Sequence, residues 1–317
     1  MRIRIQNTMT LFLLALPCLA FAHKLAPEVE YAMENGADAK ISLKVCDDEG
    51  LPVSNASVSV EFDMIPDPHT VYGKTDSNGI VVVRGKTNGN RISCIVAKDG
   101  YYGSRAEMSF VPMGAEHDVK DGKWQPYPTD KTVVIRKIRH PVPLVHTCAF
   151  YVIPATNVWL GFDMKVRDFV APDGSGEVAD FECRVEWDGL PPAKSKFCKM
   201  YLRMPGVLSG GYYYALAVES DYPFSYFAQC PPELVREIEV VNRNGNPHTT
   251  KVPFREQSEF VMRTRCKVDD HNQLIKANYG SIRGLSVSPS WDGNPTLRLN
   301  LVFNADPNDV NLETLNK

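Results

Sequence analysis

The chain has 317 residues, 35 basic and 38 acidic, for a formal charge of −3, with 44% hydrophobic and 10% aromatic content. Enough apolar side chain is present to bury a core, which excludes a disordered or collagen-like chain. The near-neutral balance, with no clustered basic face, also argues against nucleic-acid binding.

Arg2 and Arg4 open the chain, Leu11 to Leu19 is an apolar run, and Ala20-Phe21-Ala22 has the small-x-small form of a cleavage site. This predicts a signal peptide over residues 1–22 and an exported protein, periplasmic or secreted. Pro17, just before Cys18, argues against lipidation at that cysteine. Removing residues 1–22 leaves 295 residues and, with two arginines gone, a charge of −5. No later segment reaches the ~20 apolar residues that a spanning helix needs.

From residue 37 onward the pattern is that of strands. Ile41, Leu43 and Val45 alternate with Ser42, Lys44 and Cys46, the period of a half-buried strand. Asp47-Asp48-Glu49-Gly50 makes a turn, and Val58, Val60 and Phe62 mark the next strand. Thr75-Asp76-Ser77-Asn78-Gly79 then supplies hairpin chemistry, with Gly79 free to adopt positive φ. Strands are predicted over 80–83, 92–97 and 132–138. Met108 to Asp130 reads as a long irregular loop, and His140-Pro141-Val142-Pro143 as the boundary between two domains. Further strands are predicted over 181–187, 199–204, 212–219, 238–242, 260–268 and 296–303, with one short helical turn over 232–239. The predicted fold class is all-β, two β-sandwich domains over 37–139 and 145–317, the second a sandwich or jelly roll.

Residues 41–103 also carry a family likeness. Asp47-Asp48-Glu49-Gly50-Leu51-Pro52-Val53, Asn55-Ala56-Ser57-Val58-Ser59-Val60, Thr75 to Gly79 and Val96-Ala97-Lys98-Asp99-Gly100-Tyr101 together resemble the carboxypeptidase regulatory-like (transthyretin-like) domain. The resemblance implies a prealbumin-like, Ig-like seven-stranded sandwich in which Gly50 and Gly79 turn hairpins and Tyr101 lays its ring over the sandwich edge. It implies a scaffold rather than a reaction. The hydroxyisourate-hydrolysing relatives end in Tyr-Arg-Gly-Ser, which this chain lacks. Gly161-Phe162-Asp163, Val170 to Asp180 and Ala277-Asn278-Tyr279-Gly280 resemble uncharacterised exported bacterial proteins, and no function comes with that likeness.

Seven cysteines remain after cleavage, and none has C-x-x-C spacing. Cys46 with Cys94 and Cys183 with Cys198 are candidate disulfides for an oxidising compartment, and burial of all seven as small apolar residues is the alternative. Cleavage after Ala22 would expose an α-amine and an imidazole together on His23, a pair that can chelate copper or nickel. Lytic polysaccharide monooxygenases use such a residue with a second histidine, and exported nickel or cobalt uptake components begin similarly. Asp168, Asp173, Ser175, Glu177 and Asp180 form an acidic loop that starts like a calcium loop. Val178 and Arg184 stand where such a loop needs glycine and glutamate.

Tyr212, Tyr214 and Trp291 are the candidate ligand-binding rings, because sugar C–H faces lie well on exposed aromatic planes. Alternation turns Tyr213 to the opposite face, so one set of rings belongs to a core. No nucleophile elbow, phosphate loop, zinc-protease helix or dinucleotide fingerprint is present, so no catalytic residue is assigned. The sequence therefore predicts a non-catalytic exported scaffold that binds a glycan or an envelope protein. A metal-binding protein using His23 and a glycan-active enzyme in the second domain are the alternatives. No cofactor is implied beyond copper, nickel or calcium, and nothing fixes an oligomeric state.

Overall fold

The computed structural model describes residues 25–64, 68–89, 91–110, 118–215, 220, 222, 224–228, 233–242, 258–291 and 293–315. The expected signal segment 1–22 and His23 lie outside them.

The alternating segments form mainly antiparallel sheets, with β1 pairing in parallel with β8 and β9, and the fold is all-β. Strands β1 (Ala37–Cys46), β4 (Ile80–Thr87), β7 (Val119–Lys120), β8 (Lys123–Trp124) and β9 (Thr129–Val134) make one sheet. Strands β2 (Ser57–Phe62), β3 (His69–Lys74), β5 (Ile92–Ala97) and β6 (Ser104–Met108) make a second, in the order β3-β2-β5-β6. The two stack around a core that includes Ile41, Leu43, Val45, Val60, Phe62, Ile92 and Trp124. The third sheet runs β10-β19-β18-β17-β15, built from Val145–Val152, Thr296–Asn304, Leu274–Ser288, Ser258–Val268 and Gly210–Ala215. The fourth runs β12-β11-β13-β14-β16, built from Asp168–Phe169, Leu160–Asp163, Phe181–Trp187, Cys198–Arg203 and Glu237–Asn242. Phe162, Phe181, Met200, Phe260, Leu299 and Phe303 fill the space between these two.

Local chemistry explains the turns. Asp47, Asp76 and Asp269 each begin a turn and accept, through one carboxylate oxygen, the amides two and four residues on. These side chains close the turns by satisfying backbone donors that the ladder leaves over. The Asp269 turn joins the paired strands β17 and β18, whereas the hairpin expected at 75–79 is instead a turn that carries the chain from β3 in one sheet to β4 in the other. Gly50 and Gly79 both have positive φ (80° and 72°). At Gly79 a Cβ would also run into the Val45 carbonyl oxygen. Ala56 is fully buried beside the turn, where Thr75 takes its amide and donates to Val53 oxygen. Tyr101 follows Gly100 (φ 80°), bridges to Lys137 and packs its ring on the first core.

Three expectations are corrected. Pro27–Asn35 is a helix (α1), with proline in its first turn and Val29 and Ala32 buried on the first sandwich. The segment 108–130 is not one irregular loop: β7, β8 and the start of β9 lie within it. Trp124 anchors it, fully buried, stacked on Phe110 and donating Nε1 to Thr87 oxygen at 2.9 Å. The helical turn over 232–239 is replaced, from Glu237 on, by strand β16, which pairs with β14.

The six described cysteines are all thiols. Cys46 and Cys94 sit in different sheets. On β13 and β14, Cys183 stands opposite Leu202 and Cys198 opposite Trp187, so the register keeps those two thiols apart. Burial pushes both up to about 12, so they behave as small apolar core residues.

The sandwiches meet at a seam of rings and charges. Tyr102 stacks on Tyr222 at 4.3 Å, and Tyr222 on Tyr226 at 5.6 Å. Arg136 and Arg139 lie over Tyr226 at 4.2 and 4.6 Å and reach Asp48. Glu313, fully buried, accepts the Tyr102 hydroxyl (3.0 Å) and the Arg139 and His140 amides (2.9 and 2.7 Å). Burial pushes Tyr222 up to about 12 and, with Glu313 beside it, pushes Tyr102 further up. Much of the aromatic run Tyr222 to Phe227 is therefore a joint between the two halves.

Candidate functional site

The three predicted rings are not brought together. Tyr213 faces the core against Phe260. Tyr212 and Tyr214 point to the other face and are half-buried, Tyr212 among Ala228, Leu234, Val261 and Tyr279. Trp291 is 69% exposed in the connection from β18 to β19. The row holding Tyr213, Phe260 and Ile282 lies six residues from Ser288, the last paired residue of β18. At ~3.3 Å per residue that alone is about 20 Å.

The acidic loop closes on itself. Asp168 accepts the Phe169 amide and both the amide and hydroxyl of Ser175, which hold its carboxyl below the usual range. Asp180, fully buried, accepts Arg265 through both oxygens (2.8 and 2.7 Å), together with the Met164 amide and Thr264 hydroxyl. Asp163 takes a third Arg265 bond at 2.6 Å and the amides of Lys165, Val166, Glu177 and Val178. Sequence reading missed Asp163 and Arg265, whose pairing depends on residues a hundred positions apart. Among the described residues no group of three or more His, Cys, Asp or Glu is placed to hold a metal ion.

Burial pushes the Asp163 carboxyl up, but three amides and the Arg265 guanidinium outweigh it and hold it below the usual range. Its folded value thus lies beneath the unfolded ~3.9. Stability from this carboxylate is present above ~pH 4 and lost as pH falls through the lowered folded value, and Asp168 behaves alike. Urea midpoints measured from pH 7 downward should hold until about pH 4 and then drop. A midpoint that rises below pH 4 would contradict the assignment.

The outer face of the β11–β13–β14–β16 sheet has a different character. Apolar Cys183, Val185, Met200, Leu202 and Ile238 point inward. The alternate residues form cross-strand rows, Glu182–Arg203–Glu237 and Arg184–Tyr201–Glu239, with Glu186 beside Lys199. Arg203 pairs with Glu182, and Arg184 with Glu186 at 3.0 Å. Trp159, just before β11, carries the Arg203 guanidinium over its ring at 4.1 Å and that of Arg184 at 5.2 Å. Arg184 also lies over Tyr201 at 4.9 Å. Partial burial and then the Glu186 and Glu239 carboxylates push the Tyr201 phenol up, so it stays a neutral donor. At the end of the face a depression of about 470 Å³ is lined by Glu182, Arg203, Met204, Pro205, Arg236 and Glu237. The charged side chains here are about one-quarter to one-half exposed.

The face carries four carboxylates (Glu182, Glu186, Glu237, Glu239) against four cations (Arg184, Lys199, Arg203, Arg236). Its net charge is near zero, which disfavours a polyanion. Fixed donors and acceptors instead alternate a strand spacing of ~4.8 Å apart. Sequence held part of this signal in Glu182-x-Arg184-x-Glu186 and Lys199-x-Tyr201-x-Arg203. Register, which decides the rows, is not a local property.

No protein-family model matches the chain, and no curated protein matches it in sequence. Among solved structures it is similar to 3-chlorocatechol 1,2-dioxygenase from Rhodococcus opacus, at 15% identity and TM-score 0.26, over 33% of this chain and 61% of that one. Catechol 1,2-dioxygenase from an Acinetobacter species follows at 12% and 0.24, over 32% and 53%. Hydroxyquinol 1,2-dioxygenase from Pseudomonas putida gives 13% and 0.25, over 32% and 57%. The chain spans less than two-thirds of each enzyme's length, and similarities of this size carry no argument about activity.

Proposed function

We propose that this chain is an exported, non-catalytic binding protein whose ligand is a neutral glycan, held on the outer face of β13, β14 and β16. The observation that carries the reading is the charge-balanced ladder with Trp159 and Tyr201 set among its guanidinium groups. Sugar hydroxyls both donate and accept hydrogen bonds, so alternating carboxylates and guanidiniums suit them. Aromatic rings add the apolar surface that C–H faces cover. The shifted ionisable groups described above are engaged by the chain's own amides, arginines and hydroxyls or raised by burial, which supports a binding role over proton transfer. The first sandwich, with the turns of a regulatory-like domain, serves as scaffold. Tyr212, Tyr214 and Trp291 have no part in this reading.

A panel of neutral and acidic oligosaccharides immobilised on an array tests it with the chain from His23 onward. Retention of neutral members without release of product is the expected result. Product release would make the protein an enzyme, and silence across the neutral panel would remove the glycan reading.

A further inference from the structure

Strand β10 forms one edge of the third sheet and, among the described residues, is paired there with β19 alone. Ile153, next in register, gives its amide to Pro295 oxygen, so odd-numbered residues of this strand turn their backbone groups toward β19. His146, Cys148, Phe150 and Val152 turn theirs to the open side. The same four side chains point away from the core and are all exposed, Phe150 at 71% and Val152 at 66%.

Among the described residues the other sheet edges carry charges. β4 has Arg84 and Lys86, β9 Asp130 and Lys131, β3 Lys74, β6 Arg105 and Glu107, β7 Lys120, β12 Asp168, and β16 Glu237 and Glu239. The edge of β15 is bridged by Val235 to Gly211 through both backbone bonds. β10 has eight residues with no Asp, Glu, Lys, Arg or Pro and no register shift against β19. Such an edge offers a row of unpaired donors and acceptors to another strand.

We propose that β10 pairs antiparallel with β10 of a second copy, about a two-fold axis close to Cys148 and Ala149, joining two five-stranded sheets into one. The choice of a second copy rests on self-complementarity. An antiparallel two-fold pairing sets even residues opposite even ones, so every exposed apolar side chain meets another from the same uncharged set. The row carries no charge with which to select a foreign strand. Pairing at an edge leaves the β13–β14–β16 face open on both copies, so the dimer is bivalent for whatever that face holds. The two Cys148 Cα atoms would lie ~5.5 Å apart if directly opposite and ~7–8 Å apart if diagonal.

Sedimentation velocity of the chain from His23 onward should show twice the chain mass, and a short bis-maleimide should cross-link the dimer through Cys148. Phe150→Lys and Val152→Glu change exposed side chains and should each give a monomer with unchanged circular dichroism and a thermal midpoint that no longer depends on protein concentration. Cys148→Ser should lose the cross-link but keep the dimer. A monomer at every concentration up to the solubility limit would overturn the proposal. So would a dimer that persists in both charge variants.

Discussion

Replacing Asp180 by alanine is expected to lower folding stability by about 3–5 kcal/mol, the usual cost of breaking a buried ion pair by removing one partner. The carboxylate is fully buried and receives both the Nε and a terminal nitrogen of Arg265, besides the Met164 amide and Thr264 hydroxyl. Without it the Arg265 guanidinium keeps its charge in a site whose side chain is 18% exposed, with Asp163 its one remaining carboxylate partner there. The effect of leaving donors unpaired exceeds the small net worth of the bonds themselves. The urea midpoint should fall with an unchanged slope. Asp180→Leu combined with Arg265→Met should recover little of the loss, because it leaves the buried Asp163 carboxylate without its guanidinium partner. A loss under about 1 kcal/mol for the single change would show that water reaches this cluster.

Glu313→Ala should act on how the two sandwiches unfold together. Its carboxylate takes the Tyr102 hydroxyl from the first half and the Arg139 and His140 amides of the connecting segment. The two amides would be stranded, each costing ~1–3 kcal/mol where water cannot replace the acceptor, while the Tyr102 hydroxyl keeps the Thr314 oxygen at 3.0 Å. The remaining joint includes the Tyr102–Tyr222–Tyr226 stack with Arg136 and Arg139 on Tyr226, Tyr226 bonded to Lys137 oxygen, Arg136 bonded to Phe224 oxygen and Tyr102 bonded to Thr314 oxygen. Calorimetry should show one transition for the parent chain and two for the variant. Two transitions in the parent would show that the seam does not couple the halves.

Much of the fold was legible because alternation is a local signal. β1, β2, β13, β14 and β19 each place apolar residues at every second position, and their turns carry Asp, Asn and Gly where backbone donors or positive φ require them. β18 escaped notice although it is the longest strand described, Leu274–Ser288. Glycine and serine interrupt its pattern, and a bulge after Ile282 shifts its register against β19. Trp124 was read as part of a loop because its strand is two residues long. A buried ring with its Nε1 bonded does what a longer apolar run does elsewhere.

The candidate site was legible only in part. Strand positions of Glu182, Arg184, Tyr201 and Arg203 follow from their sequence, but their meeting in rows depends on which strands neighbour one another. The tyrosine cluster at 212–214 and the ring at Trp291 drew the reading because they stand out in composition. Their separation follows from β18 running some 20 Å beyond the tyrosine row. Asp163, Asp180 and Arg265 show the same effect in reverse, since nothing local marks Arg265 as the partner of two distant carboxylates.

Titration calorimetry of the chain from His23 onward with a neutral oligosaccharide retained on the array bears most directly on the proposed role. Trp159→Ala and Arg203→Ala should each weaken binding about tenfold or more, equivalent to ~1.4 kcal/mol, while Tyr212→Phe and Trp291→Ala leave it unchanged. Equal affinity in all five proteins would contradict the assignment of this face.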